Sequence, residues 1–233
     1  MIIPAYKLNI KKAYSYPAER LRKKGSVIFF NLCEENELSR IISLSKKDVV
    51  LDACCGYGRW AVKVSKKVEK VIAVDLSETF TDDLKKRKLP NVEVLCTDLS
   101  LLDFKDFFDV IIFSAALEHF KDKRRILQKL HRMLGPGGKL YISCWTSDML
   151  SPLRKHRGAR PGEMKIGDRS WYIEEPTIEE LIDHLKRAGF KNIFTKEVYA
   201  NTKMLSEDSI EVYADYILKP RMVNLVNLAG GEK

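Results

Sequence analysis

Three aspartates and a pair of glycines mark where this sequence could do chemistry. The segment Asp52-Ala53-Cys54-Cys55-Gly56-Tyr57-Gly58-Arg59 follows a short apolar run, Asp75 closes a second such run, and Asp98 follows a third. Gly56 and Gly58 permit unusual dihedrals and let the backbone come close to a ligand. A helix starting after them aims its free amide ends at whatever is bound. A carboxylate at position 75 can accept both hydroxyls of a ribose. His119 and Glu118 follow a fourth apolar run and are the candidates for proton transfer, His119 being the better placed. A His bonded to backbone at a helix start is the competing reading of position 119. The competing reading of Asp52 and Asp75 is as helix caps, and of Asp98 as a turn residue. The cysteines at 33, 54, 55, 96 and 144 form no CxxC, and no His lies at zinc-finger spacing from a pair of them. No metal site is expected. Cys54 and Cys55 read as reduced packing residues, and the compartment as cytoplasmic.

The elements that must position these residues alternate regularly. Asp48–Asp52, Lys70–Asp75, Asn91–Cys96, Phe108–Phe113 and Lys139–Trp145 read as apolar strands. Between them lie helical stretches at 59–68, at 78–87 behind a Ser77 cap, and at 123–134, where Gly135-Pro136-Gly137-Gly138 ends the helix. Such alternation means α/β: a doubly wound, mainly parallel sheet with helices on both faces. Ligands bind such sheets outside the C-terminal strand ends, at the point where strand order reverses. Residues 1–18 read as an irregular basic and aromatic arm and 19–44 as a helix. Residues 147–172 show no periodicity and look like an insertion lying over the strand ends. Residues 177–188 form a capped amphipathic helix. Residues 190–199 and 209–218 alternate like an antiparallel strand pair at one sheet edge, and 219–233 reads as a frayed tail.

Five segments taken together resemble the class I S-adenosylmethionine-dependent methyltransferases: VVLDACCGYGRW (49–60), VIAVDLS (71–77), CTDLS (96–100), FDVIIFSAALEHF (108–120) and LHRMLGPGGKLYISCW (130–145). Cys54 stands where the family often has its first glycine. The resemblance covers residues 38–145 by motif and 177–218 by topology. It implies a seven-stranded sheet with an antiparallel edge strand. It divides the chain into an arm and helix (1–44) capping the cofactor site, a methyltransferase domain (45–218) with a lid (147–172), and a C-terminal tail. It also implies roles. Asp52 and the 54–58 turn (Cys54, Gly56, Gly58) would meet the amino group of S-adenosylmethionine. Asp75 would hold the ribose and Leu76 the adenine. Asp98 and Leu99 would meet the adenine edge, and Ser114 and Ala115 the methionine end. S-adenosylhomocysteine would be the product. Tyr14, Tyr16, Trp145, Trp171 and Tyr172 would wall the acceptor pocket.

Composition narrows the acceptor only partly. The chain has 233 residues and a net charge of +9. Residues 1–24 hold seven basic side chains against one acidic, and residues 154–169 six against two. A small-molecule acceptor is the default for a chain without an added recognition domain. Clustered charge with interleaved aromatics keeps a tRNA acceptor of the wobble-uridine kind as the alternative. A non-catalytic partner subunit on the same fold is the third reading, opposed by the intact Asp52, Gly56, Gly58, Asp75 and Asp98. A nicotinamide dehydrogenase would want Gly-x-Gly-x-x-Gly in the first turn, which fits this spacing poorly. The longest apolar stretch, Val110–Leu117, has eight residues, too short for a membrane span, and no signal peptide is expected. The single glutamine, Gln128, beside many Lys and Glu hints at a heat-adapted source.

Overall fold

The computed structural model describes residues 3–16, 25–201 and 222–233. Five parallel strands build the part of the sheet that carries the aspartates: β1 (Val49–Ala53), β2 (Lys70–Asp75), β3 (Val92–Cys96), β4 (Phe108–Ser114) and β5 (Leu134–Trp145). The apolar runs of β1, β2 and β4 reflect burial on both faces, whereas β3, at the sheet edge, is only partly buried. Val50, Leu51, Val71, Ala73, Ile111 and Ile112 are all buried. The seven-stranded sheet has the order β3-β2-β1-β4-β5-β9-β8, with β8 spanning Lys191–Asn201 and β9 spanning Met222–Glu232. From β1 the chain steps outward to β2 and β3, then returns to β4 on the other side of β1. The order therefore reverses between β1 and β4, and a crevice opens there at the C-terminal tips.

The helices are α1 (Ala5–Ala13), α2 (Gly25–Ile41), α3 (Arg59–Ser65), α4 (Glu78–Lys85), α5 (Lys123–Met133), α6 (Ser147–His156) and α7 (Ile178–Ala188). Capping follows the sequence signals. Ser77 accepts from the Phe80 amide, Thr177 and Glu180 form a capping box, and Gly189 ends α7 at φ 102°. Two apolar cores fill the faces of the sheet. One gathers Trp60, Val64, Leu84 and Leu38, and the other Leu127, Leu130, Leu181 and Leu185.

Three expectations need correction. The tail expected at 219–233 is a strand over its described part. Met222–Glu232 is β9, antiparallel to both β5 and β8 and inserted between them. The Gly230-Gly231 pair that reads as fraying is a packing requirement. A Cβ on Gly230 would sit 2.2 Å from the Leu140 carbonyl oxygen and 2.5 Å from the Phe194 ring. The strand expected at 209–218 lies outside the described residues. The arm 1–18 contains the helix α1, which packs on the strand β7 (Arg169–Tyr172). The insertion 147–172 is not irregular: it comprises α6 and a hairpin of β6 (Glu163–Ile166) with β7. Pro152 inside α6 and the shortness of both hairpin strands hide these elements from periodicity.

Candidate functional site

The turn after β1 is built from left-handed backbone. Cys54, Gly56 and Gly58 have φ of 57°, 53° and 77°. This explains why glycine suits position 54, where Cys carries the cost of an αL conformation. A Cβ on Gly58 would lie 2.5 Å from Leu84 Cδ1, so α4 closes directly over it. A Cβ on Gly56 would meet nothing within 4 Å. That open side faces a cavity of about 550 Å³ at the strand tips, roofed by α1 and the 147–172 insertion.

The aspartates divide the work of holding this turn. Asp52 is buried and its Oδ2 accepts from the Ala61 amide at 2.7 Å, which ties β1 to α3. Burial pushes its carboxyl up to about 7, against the Ala61 hydrogen bond and the nearby Arg59 charge. Asp75 accepts from the Gly56 amide with Oδ2 and from the Ser77 amide with Oδ1, each at 2.8 Å. Burial raises its pKa, and these amides lower it. Asp98 receives Lys7 Nζ at 2.7 and 2.8 Å, a pair with side chains 4% and 9% exposed. Its Oδ1 also takes the Ser100 amide and hydroxyl, while Oδ2 takes Lys7 alone. Lys7 was not singled out in the sequence. It lies 91 residues from its partner, and no local pattern connects them.

A second buried network sits beneath the cavity. Glu34 of α2 is fully buried and accepts from Arg59, from the Ser114 hydroxyl at 2.5 Å and from the Ser143 hydroxyl at 2.6 Å. The Arg59 charge is thereby matched inside the protein, and Arg59 braces the turn. Burial raises the Cys54 and Cys55 thiols well above their ordinary range, which keeps them protonated and unreactive. Among the described residues no cluster of His, Cys, Asp or Glu could hold a metal ion.

His119 lines the cavity with both ring nitrogens engaged. Nδ1 lies 3.2 Å from the Tyr172 carbonyl oxygen and Nε2 lies 3.1 Å from the Tyr14 hydroxyl. A carbonyl can only accept, so the network assigns the proton to Nδ1 and leaves Nε2 to accept from Tyr14. Burial pushes the imidazole down to about 4, so it is neutral at neutral pH. Burial also raises the Tyr14 phenol.

The structure separates the other candidates. Tyr14, Tyr16, Trp145, Trp171, Leu76 and Leu99 line the cavity, as do Cys54, Gly56, Ser114 and Ala115. Gly58, which Leu84 covers, and Glu118 and Tyr172 do not. Glu118 is fully buried, and its Oε1 accepts from the Trp145 amide. The 3₁₀ turn Leu117–His119 that presents His119 to the cavity aims Glu118 the other way. Tyr172 reaches the site only through its carbonyl, and its hydroxyl donates to Glu174. Reading residue types along a loop gives no direction for each side chain, so Glu118 stood as a candidate beside the better-placed His119.

Residues 50–138 match the family described as a methyltransferase domain. The chain is 27% identical over 142 residues to the demethylmenaquinone methyltransferase of Listeria welshimeri, a stretch covering 57% of this chain and 60% of that protein. It is 31% identical over 167 residues to the ubiquinone/menaquinone biosynthesis C-methyltransferase of Klebsiella pneumoniae, covering 62% and 66% of the two chains. The matched stretches thus leave about a third or more of each relative uncovered. In fold it is similar to an S-adenosylmethionine-dependent methyltransferase from Mesorhizobium loti, with a TM-score of 0.60 and 19% identity over 86% of this chain and 98% of that one.

Proposed function

Because this chain belongs to the class I S-adenosylmethionine-dependent methyltransferase family through its domain at residues 50–138, we propose that it methylates an O, C or N atom of a small-molecule acceptor. The observation that carries this reading is the cavity of about 550 Å³, floored by the Gly56 opening between Asp52 and Asp75. That volume falls within the range of small-ligand sites. The residues present suit the cofactor. The bare Gly56 gives its backbone close approach, and the Asp75 carboxylate stands preoriented by two amides for a ribose diol. Leu76 would pack against the adenine, and Asp98 Oδ2, bonded once, keeps lone-pair capacity that its amino group would use beside Leu99. Asp52, with Cys54 and Gly56 of the turn, would meet the methionine amino group. An ammonium there stabilises the charged form of a carboxyl that burial holds near 7. Ser114 and Ala115 line the methionine end.

When bound, S-adenosylmethionine supplies a methyl group already activated by its sulfonium. The protein's part is to align the acceptor, exclude water and take a proton where the acceptor carries one. α1 and the 147–172 insertion cover the site. His119 Nε2 takes the proton, relayed by the Tyr14 hydroxyl that already points at it. The nucleic-acid alternative loses part of its charge. Lys7 is buried on Asp98, and Arg154 is buried against Glu175. Arg20, Arg22, Lys23 and Lys24 lie outside the described residues. No helix among the described residues is long and apolar enough to cross a membrane.

Calorimetry with S-adenosylhomocysteine tests the cofactor site. Asp75→Ala is expected to weaken binding by about 2–3 kcal/mol, the scale of charge-assisted hydrogen bonds. Unchanged affinity, or binding of NADH instead, would refute the assignment. Incubation with methyl-labelled S-adenosylmethionine and separate pools of small metabolites and total RNA tests the acceptor class. Label confined to RNA would overturn the small-molecule reading.

A further inference from the structure

The family resemblance assigns Asp98 to the adenine but names no partner for it, and the structure supplies one from α1. Lys7 lines the cavity with its side chain 9% exposed. Its Nζ reaches Asp98 Oδ1 at 2.7 Å, Asp98 Oδ2 at 2.8 Å and Ser100 Oγ at 3.1 Å. An ammonium has three N–H donors, so each of them has an acceptor. The Ser100 hydroxyl that accepts from Lys7 donates in turn to Asp98 Oδ1 at 2.8 Å, and the Ser100 amide donates to the same oxygen at 2.8 Å. The three side chains close a ring. Within it Oδ1 takes three donors and Oδ2 takes Lys7 alone. Asp98 also caps the 3₁₀ turn Leu99–Leu101, so its backbone is fixed along with its carboxylate. Phe120, with its ring centre 5.0 Å from Lys7 Nζ, and Leu99 line the cavity beside this ring.

Such a ring has a consequence for what Oδ2 can meet. The Lys7 ammonium is the counter-charge that keeps Asp98 a carboxylate, which accepts hydrogen bonds and donates none. A purine with an exocyclic amino group brings a donor to the open oxygen. A purine with a carbonyl in that place sets oxygen against oxygen, and Lys7 has no N–H left to meet it.

We infer that Lys7 is a positioning residue for the cofactor's base: reaching down from α1, it locks the Asp98 carboxylate as a pure acceptor, so the site takes an adenosyl group and refuses its oxo counterpart, an inosyl group. This rests on the cofactor reading above and adds the residue that sets its base selectivity.

The test is calorimetric titration of the full chain with S-adenosylhomocysteine and with S-inosylhomocysteine, which carries a carbonyl where adenine has its amino group. The wild type is expected to prefer the adenosyl compound by about tenfold or more, the scale of one charge-assisted hydrogen bond. In Lys7→Met the ratio is expected to collapse to within about threefold, because Asp98 is then free to turn and to carry a proton. A helix that merely docks less well weakens both compounds alike and leaves the ratio unchanged. Lys11→Met supplies that control: it removes the Lys11–Glu78 pair from the same helix and is expected to keep the wild-type ratio. A preference that persists in Lys7→Met, loss of both compounds in that variant, or equal binding of the two by the wild type overturns the inference. Loss of the preference in Lys11→Met does so too, because undocking of α1 would then explain it. Failure of the wild type to bind S-adenosylhomocysteine would instead remove the cofactor reading itself.

Discussion

Replacing Glu118 by Gln isolates one buried charge. The carboxyl is fully buried, Oε1 accepts from the Trp145 amide, and Oε2 has no partner among the described residues. Burial raises it to about 7 from an ordinary 4.5, against hydrogen bonds from the backbone at 118 and 145 and the charge of Lys123; Glu175 raises it further. A folded pKa above the unfolded one means the folded state binds the extra proton between those values. The resulting stabilisation is present at low pH and is lost as pH rises through about 7. A rise from 4.5 to about 7 is worth about 3 kcal/mol in all. Gln cannot titrate. The stability of Glu118→Gln minus that of wild type should therefore grow by about 2–3 kcal/mol between about pH 5 and about pH 9. Urea unfolding followed by tryptophan fluorescence measures both proteins across that range. Taking the difference cancels Asp52, which titrates in the same direction, and His119, which titrates in the opposite one. A difference that is flat with pH would show that Glu118 is ionised at low cost and that its buried setting has been misjudged. Because the side chain does not line the cavity, turnover should survive the substitution.

Two further outcomes follow from the site. Lys7→Met strands the Asp98 carboxylate with only the Ser100 donors, so it should destabilise the α1 docking by about 3 kcal/mol. Adding Asp98→Asn should recover part of that loss. Limited proteolysis within residues 3–16 reads both, and two additive effects would remove the coupling. His119, lowered by burial to about 4, stays neutral until the pH falls below that value. Turnover that depends on its unprotonated Nε2 should hold as pH falls through 6.5 and fail only near 4, and His119→Phe should remove that acid limb without changing S-adenosylhomocysteine affinity. An acid limb at 6.5 would place the titrating base elsewhere.

What the sequence determined by itself was the half of the molecule whose signals are local. Strands buried on both faces spell themselves as short apolar runs. The cap at Ser77, the capping box at Thr177 and the αL ending at Gly189 each lie within a few residues of what they cap. The turn at 54–58 and the carboxylates at 52, 75 and 98 therefore fell at strand tips, where a parallel sheet must place them. What only the tertiary structure decided was pairing at long range and side-chain direction. Whether Lys7 meets Asp98, whether Glu34 neutralises Arg59, and whether Gly230 lies against Leu140 depend on elements that approach only after the sheet has closed. Adjacent residues such as Glu118 and His119 share composition and context, yet a single 3₁₀ turn sends one into the core and the other into the cavity. A side chain's direction is set by the backbone dihedrals that packing imposes, and no periodicity along the chain encodes those at a loop.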